Sequence, residues 1–187
     1  MEKHKCGWCI GDDIYEAYHD QEWGVPVYDD QTLFEFLILE TMQAGLSWIT
    51  ILKKRQNYFN ALDQFDIHKI AAYDQAKQDE LLLNAGIIRN KLKVKSIITN
   101  AQLFLEIQKE HGSFSKFMWD YVDGKPIKNK WKNYKDTPAN TAISDQISKD
   151  LKKRGFKFVG STIIYAFMQA TGMVNDHEVN CHRYEEV

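Results

Sequence analysis

One carboxylate on the apolar face of a helix constrains this chain more than any other feature. Leu33, Phe36, Leu37 and Glu40 recur at positions i, i+3, i+4 and i+7, which places them on one face of a helix that packs against a core. An unpaired buried carboxylate is energetically expensive, so Glu40 needs a partner or a function. One interpretation pairs Glu40 with an Arg or Lys inside an ordinary core helix. The other places it in a binding pocket.

The residues that follow predict a tight corner between two helices. Gly45 can end the first helix, and Ser47 can cap a second helix that begins at Trp48. Trp48 would then lie close to Glu40. An acid beside a large aromatic face suits a flat, polar and cationic ring, so this corner is a candidate binding site.

Helical spacing and capping residues continue along most of the chain. Strand-like alternation is confined to a hint at 156–159. The predicted helices are 14–19, one after Asp29–Asp30 that contains Glu40, 48–65, 67–73, 74–84, 91–110, 114–122, 141–153 and 161–171. Segment 123–140 loses this periodicity and predicts a long surface loop; its lysines are Lys125, Lys128, Lys130, Lys132 and Lys135. The predicted fold class is all-α.

Length and composition limit the possible classes of protein. A chain of 187 residues with 44% apolar residues can form one large domain or two small lobes. A net charge of −2 argues against a protein that binds nucleic acid over its whole surface, but it allows a local basic face. Three cysteines do not make a disulfide framework. There is no leader-like or membrane-length apolar run, and nothing suggests a helical zipper, so we expect a cytoplasmic monomer that does not contact a membrane.

The two ends of the chain carry residues typical of a metal site. His177 and Cys181 are four residues apart, within reach of one ion, and the first residues offer Cys6, Cys9 and His19. A set of two Cys and two His is typical of structural Zn²⁺ and would join the chain ends. Spacing alone leaves the choice of ligands open, since His182 also follows Cys181, and it also leaves open that these are unlinked surface residues. A filled set of four ligands disfavours a zinc hydrolase.

A second candidate is a phosphate-binding helical hairpin. One predicted helix ends at Gly86, and the next opens with Arg89, Lys91, Lys93 and Lys95. The amides of such a turn and the positive end of the second helix favour an anion. A second basic cluster comprises Lys149, Lys152, Lys153, Arg154 and Lys157. The alternative is two ordinary packed helices with solvated lysines.

Six segments together resemble the 3-methyladenine DNA glycosylase I family over nearly the whole chain. They are Cys6-Gly7-Trp8, the Tyr15, Tyr18-His19-Asp20 and Glu22-Trp23-Gly24 set, Leu39-Glu40 with Gln43-Ala44-Gly45-Leu46-Ser47-Trp48, Ala85-Gly86-Ile87-Ile88-Arg89, residues 152–160, and Asn175-Asp176-His177. The resemblance implies a helix-hairpin-helix DNA glycosylase fold, a role in base excision repair of DNA, and one structural zinc ion that joins the N- and C-terminal segments. We expect a single domain over 1–187, with a hairpin lobe at about 30–122 and a zinc-stapled lobe at about 1–29 and 140–187.

The resemblance also implies roles for individual residues. The zinc ligands are Cys6, His19, His177 and Cys181, which leaves Cys9 and His182 as bystanders. The base-binding residues are Tyr15, Tyr18, Glu40 and Trp48, with Trp8 and Trp23 as further walls and Glu40 as the catalytic residue. The expected DNA contacts are Gly45, Leu46, Gly86, Ile88, Arg89, Lys91, Lys153 and Arg154. Some relatives carry a glycine where this chain has Leu92.

The implied reaction is hydrolysis of the N-glycosidic bond of 3-methyladenine in double-stranded, alkylated DNA. The enzyme would release free 3-methyladenine and leave an abasic site. Many hairpin glycosylases place a catalytic aspartate after the hairpin, but residues 96–105 contain no carboxylate. We therefore expect a monofunctional enzyme with no lyase step. The competing hypothesis is a non-catalytic nucleic-acid-binding module with a zinc staple.

Overall fold

The computed structural model describes residues 3–187, so the first two residues of the predicted N-terminal segment lie outside the described part. The α-helices are α1 (Asp13–Gln21), α2 (Asp30–Gln43), α3 (Trp48–Leu52), α4 (Arg55–Ala61), α5 (Ile67–Ala71), α6 (Gln75–Leu83), α7 (Lys91–His111), α8 (Phe114–Trp119), α9 (Ala142–Arg154) and α10 (Ser161–Ala170). Short 3-10 turns span Asp63–Phe65, Asp120–Val122 and Tyr134–Asp136. The predicted helical class is confirmed.

Two short strands add a small parallel sheet that the sequence does not predict. β1 (Ile127–Lys128) lies inside the lysine-rich loop, and β2 (Val174–Asn175) follows α10. The predicted strand hint at 156–159 is wrong. Gly155 ends α9 with a φ of +106°, and the backbone N–H and C=O of Lys157 bond to the side chain of Asn100. These backbone groups therefore do not join a strand ladder.

The predicted single helix over 48–65 is also wrong. The chain forms α3, breaks at Lys53–Lys54, forms α4, and then turns through Asp63–Phe65. Asp63, Gln64 and Phe65 all have positive φ values, of 48°, 60° and 57°. Gln31 stabilises this turn by donating a 2.7 Å hydrogen bond to the carbonyl of Phe65. A contact with a distant helix thus overrides the local helical pattern.

Aspartate side chains cap the first two helices. Asp12 caps α1, and Asp29 caps α2. Asp30 instead accepts hydrogen bonds from the amides of Phe114 and Ser115 at the start of α8. The hydroxyl of Ser47 bonds to that of Thr50 and makes no side-chain cap of α3.

Helix α2 is the centre of the molecule. It packs against α3, α7, α8 and α10, and every residue from Phe36 to Met42 is buried. The predicted inward position of Glu40 is therefore confirmed, with 3% of the residue exposed. Among residues 3–187, no helix combines the length and apolar character that crossing a bilayer requires.

Candidate functional site

A pocket of about 230 Å³ opens beside α2. Its buried floor consists of Tyr18, Trp23, Glu40 and Asp176. Its half-exposed rim consists of Trp8, Tyr15, Gln43, Trp48, Tyr134, Thr137, Ala166 and Gln169. The volume is below the roughly 300–1,000 Å³ of sites for drug-sized ligands, so the pocket suits one small ring system. All six sequence-predicted pocket residues lie here together.

Four buried polar atoms of this pocket have no hydrogen-bond partner in the described chain. They are the indole Nε1 atoms of Trp8 and Trp48, the hydroxyl of Tyr18 and Oε2 of Glu40. Each unsatisfied buried polar group costs about 1–3 kcal/mol. The interpretation of Glu40 as one half of a core ion pair is therefore excluded for residues 3–187. The pocket instead presents two N–H donors, a phenol and a carboxyl group to a ligand.

Burial controls the charge of this site. It raises the pKa of Glu40 well above the usual glutamate value, and no cation among residues 3–187 forms an ion pair with this carboxyl group. Burial, followed by the nearby carboxyl group of Glu40, raises the pKa of Tyr18 well above its usual value. A cation that enters the pocket would oppose the first of these shifts, since it favours the ionised carboxylate.

Aromatic rings form the walls of the pocket. Trp8 packs edge-on against Tyr15 and Trp23, with ring centroids 5.3 Å and 5.0 Å away. The rings of Tyr18 and Trp48 lie 5.7 Å apart and are tilted. These contacts hold the rings in fixed orientations, so a flat ligand finds preformed faces.

The predicted corner after α2 is present and is held at two points. Gly45 adopts a φ of +77°, which glycine accommodates without strain, and Leu46 is exposed beside it. The hydroxyl of Tyr15 accepts a 3.0 Å hydrogen bond from the amide of Ile49. On the other side, the buried ammonium of Lys93 donates to the carbonyls of Met42 and Ala44, both at 2.7 Å.

Several pocket residues are missed by the sequence analysis. Gln43 follows Glu40 by three residues, so helical spacing could have identified it. Tyr134 and Thr137 come from the lysine-rich loop, and Asp176 follows β2. Asp176 accepts hydrogen bonds from Asn129, Trp131, Tyr165 and Gln169. No local pattern predicts that these segments meet.

The predicted metal ligands also come together. Cys6, His19, His177 and Cys181 are buried, and their ligand atoms lie within 4.8 Å of one another. The measured Sγ···N distances are 3.5 Å for Cys6–His177, 3.6 Å for Cys181–His177 and 3.4 Å for Cys181–His19. Tetrahedral zinc with ordinary bond lengths places S and N ligands about 3.5 Å apart. The four residues therefore fit a closed tetrahedral metal site.

Neighbouring groups fix the orientation of these ligands. The second ring nitrogen of His19 bonds to Asp20 at 2.8 Å, and that of His177 bonds to the carbonyl of Trp23 at 3.0 Å. Cys9 points away, with its thiol donating to the carbonyl of Cys6, and burial raises its pKa to about 12. His182 bonds to the carbonyl of His4. Neither belongs to the ligand cluster.

The predicted hairpin lies between α6 and α7. The amide of Gly86 donates to Asn84, and the amide of Ile88 donates to the hydroxyl of Tyr58. The side chains of Arg89 and Lys91 are exposed. Asn90 caps α7. This geometry leaves the charged side chains, more than the turn amides, available to an anion.

Two basic residues have partners inside the protein. The expectation that Lys93 contributes to the basic face of the hairpin is wrong, because its side chain points into the core and binds the end of α2. Arg154 bonds to Glu110 at 2.7 Å and to His111 at 3.2 Å. Lys153 is exposed. The roles of Lys153 and Arg154 in DNA binding remain predictions.

Comparison with known proteins identifies the relatives of this chain. The model of the methyladenine glycosylase family matches residues 8–184. The DNA-3-methyladenine glycosylase 1 of Escherichia coli (strain K12) is 49% identical over 180 residues, which cover 96% of each chain. The DNA-3-methyladenine glycosylase of Haemophilus influenzae is 46% identical over 177 residues, which cover 95% of this chain and 96% of that protein. A Staphylococcus aureus 3-methyladenine DNA glycosylase I, solved to explain 3-methyladenine recognition, is 39% identical, with 95% of each chain covered and a TM-score of 0.92.

Proposed function

This chain belongs to the methyladenine glycosylase family, and we propose that it hydrolyses the N-glycosidic bond of 3-methyladenine in alkylated DNA and leaves an abasic site. The observation that carries this function is the group of unpartnered polar atoms of Trp8, Tyr18, Glu40 and Trp48 around a pocket that suits one ring system. An enzyme that acts on a base must take that base out of the helical stack, and such a pocket receives the flipped base.

Charge is the proposed source of selectivity. An adenine alkylated at N3 in DNA is formally cationic. Trp48 stacks on it and gains cation–π attraction, and ionised Glu40 accepts a charge-assisted hydrogen bond from the exocyclic amine. Tyr18 supplies a further polar contact, and Tyr15 shapes the wall. Unmodified adenine is neutral, so it gains less from the carboxylate and from the ring.

The cationic base also simplifies the chemistry. It leaves as a neutral molecule, so no general acid has to protonate it, and water attacks the sugar carbon. Residues 96–105 of α7 carry no carboxylate. Lys93 is bound to two carbonyls and does not face the pocket as a nucleophile. These features support a monofunctional glycosylase without a lyase step.

We assign the fold to the helix-hairpin-helix superfamily and the DNA contacts to the hairpin and the corner. Exposed Arg89 and Lys91 hold the phosphate backbone, supported by the exposed Lys153. Gly45 and exposed Leu46 lie beside the gap that the flipped nucleotide leaves. The enzyme acts as a monomer with a hairpin lobe and a zinc-stapled lobe.

We also propose that Cys6, His19, His177 and Cys181 hold one structural Zn²⁺. The S···N distances of 3.4–3.6 Å and the fixed ring orientations support this assignment. When bound, the ion stabilises the joined chain ends and supplies no catalytic water, because four protein ligands complete its coordination. Metal analysis should find one zinc per chain, and Cys6→Ser should lose it. Cys9→Ser is the matched control, since its buried thiol faces away, and it should retain the metal.

The test of function is product analysis on methylated duplex DNA. The enzyme should release free 3-methyladenine and leave a strand that breaks only after alkali treatment. The competing hypothesis, a non-catalytic module, predicts DNA binding without base release. Titration with free 3-methyladenine separates the two hypotheses, because a simple phosphate binder has no affinity for the base.

A further inference from the structure

The lysine-rich loop contributes directly to the rim of the base pocket. Tyr134 and Thr137 both line the pocket, on half-exposed positions. The ring of Tyr134 also lies against Gly7, where an added Cβ would approach it to 2.8 Å. A base that occupies the pocket therefore has this part of the loop as one of its neighbours.

Buried carboxylates hold this part of the loop in place. Oδ1 of Asp176 accepts hydrogen bonds from Asn129 and Trp131, at 2.6 Å and 2.7 Å. The amide of Tyr134 donates to Glu178 at 2.9 Å, and the amide of Val179 donates to the carbonyl of Trp131 at 2.9 Å. The β1–β2 pairing fixes the loop at its start. The segment is thus a positioned surface rather than a solvated tail.

The same anchoring turns three lysines outward. Asn129 and Trp131 are half-buried, whereas Lys130, Lys132 and Lys135 are exposed. Within residues 3–187 these three ammonium groups form no ion pair, in contrast to Lys128, which pairs with Glu185 at 2.7 Å. Lys135 lies over the ring of Tyr134, with its Nζ 5.8 Å from the ring centroid. Three exposed lysines without an ion-pair partner among the described residues, together with one exposed acid, Asp136, therefore belong to the segment that contributes Tyr134 and Thr137 to the rim.

We propose that residues 129–137 form a second DNA-binding arm, in which Lys130, Lys132 and Lys135 contact phosphates that flank the flipped nucleotide. The partner is the DNA backbone, because its phosphates carry the complementary charge and adjoin the nucleotide whose base occupies the pocket that Tyr134 and Thr137 line. These contacts position the strand without reading its sequence. The inference rests on the proposed function. It adds residues 129–137 to the hairpin as a second surface that contacts DNA.

The salt dependence of DNA binding tests this arm. Each phosphate contact that a lysine makes contributes about 0.9 to the slope of log K against log salt concentration. Lys130→Gln, Lys132→Gln and Lys135→Gln should each lower the slope by about 0.9, and the triple variant by about 2.7. The probe is a duplex that carries one tetrahydrofuran abasic analogue, which the enzyme cannot cleave, with binding measured from low to physiological salt.

Lys109→Gln is the matched control. Lys109 is an exposed lysine with no ion pair among the described residues, and it lies near the far end of α7, about 27 Å from Lys91 along the helix. It changes the net charge by the same amount, so an unchanged slope excludes a general charge effect. Slopes of the loop variants that equal those of wild type and Lys109→Gln would overturn the arm. If the wild type did not bind free 3-methyladenine, the proposed function would be overturned instead, whatever the slopes of the loop variants.

Discussion

The ammonium of Lys93 donates a 2.7 Å hydrogen bond to the carbonyl oxygen of Ala44, the C-cap residue of α2. It also donates to the carbonyl of Met42 at 2.7 Å. The last carbonyls of a helix lack intrahelical partners, and a positive charge suits the negative end of the helix dipole. Lys93 lies in the first turn of α7, directly after the hairpin. One side chain thus connects the proposed phosphate-binding hairpin to the helix that carries Glu40.

Replacing Lys93 with Met should destabilise the protein by about 2 kcal/mol, because it leaves two carbonyls at the end of α2 without a partner. Urea unfolding measures this change. Lys95→Met is the control, since Lys95 is exposed on the same helix and should change stability by less than about 0.5 kcal/mol. Equal stabilities of the two variants would show that the contact contributes nothing.

Glu40 should reduce the stability of the free protein at neutral pH. Its pKa is raised by burial, so the folded protein keeps a proton that the unfolded chain releases above about pH 4.3. The contribution of Glu40 to the free energy of unfolding is therefore most favourable below that pH. It falls as the pH rises, by up to about 1.4 kcal/mol per pH unit, until Glu40 ionises in the folded protein as well.

The measurement is urea unfolding of the wild type and of Glu40→Gln at pH 5.5 and pH 7.5. Glu40→Gln should be more stable than wild type, and its advantage should be larger at pH 7.5. Glu106→Gln, which alters an exposed carboxylate on α7, should show no such advantage. An advantage of Glu40→Gln that is equal at the two pH values would contradict the raised pKa.

Gly24→Ala should weaken the metal site. Gly24 has a φ of +81°, and an added Cβ would lie 2.9 Å from Nε2 of His177, the nitrogen that bonds to Trp23. The ring must shift, which disturbs its ligating nitrogen. Zinc retention during dialysis against a chelator measures the effect, and the variant should lose metal at least about tenfold faster.

Gly11→Ala provides the control for backbone strain. Gly11 has a φ of +95°, but no atom of residues 3–187 outside its chain neighbours lies within 4 Å of an added Cβ. This variant pays the same conformational cost without touching His177 and should retain zinc like the wild type. Equal loss of metal from both variants would attribute the effect to general destabilisation.

Local patterns predict the helices and the inward position of Glu40, because helical periodicity depends on residues within a few turns. The same periodicity also indicates that Lys93 is buried, because Lys93 shares the buried face of α7 with Ile97 and Asn100. Gln31 holds the turn at Asp63–Phe65 that follows α4, and the pocket positions of Tyr134 and Asp176 depend on contacts between distant segments. These features arise from packing between segments that are far apart in the chain, and local sequence patterns do not predict such contacts.

If the carboxylate of Glu40 recognises a cationic base, replacing it with a neutral amide should slow the release of that base. Methylated duplex DNA is incubated with wild type or Glu40→Gln, and the released bases are separated by chromatography. A charge-assisted hydrogen bond is worth about 1.5–3 kcal/mol, so we predict that wild type releases 3-methyladenine and that Glu40→Gln is slower by about 10- to 100-fold at unchanged zinc content. Release by Glu40→Gln at a rate within twofold of wild type would contradict the role assigned to Glu40.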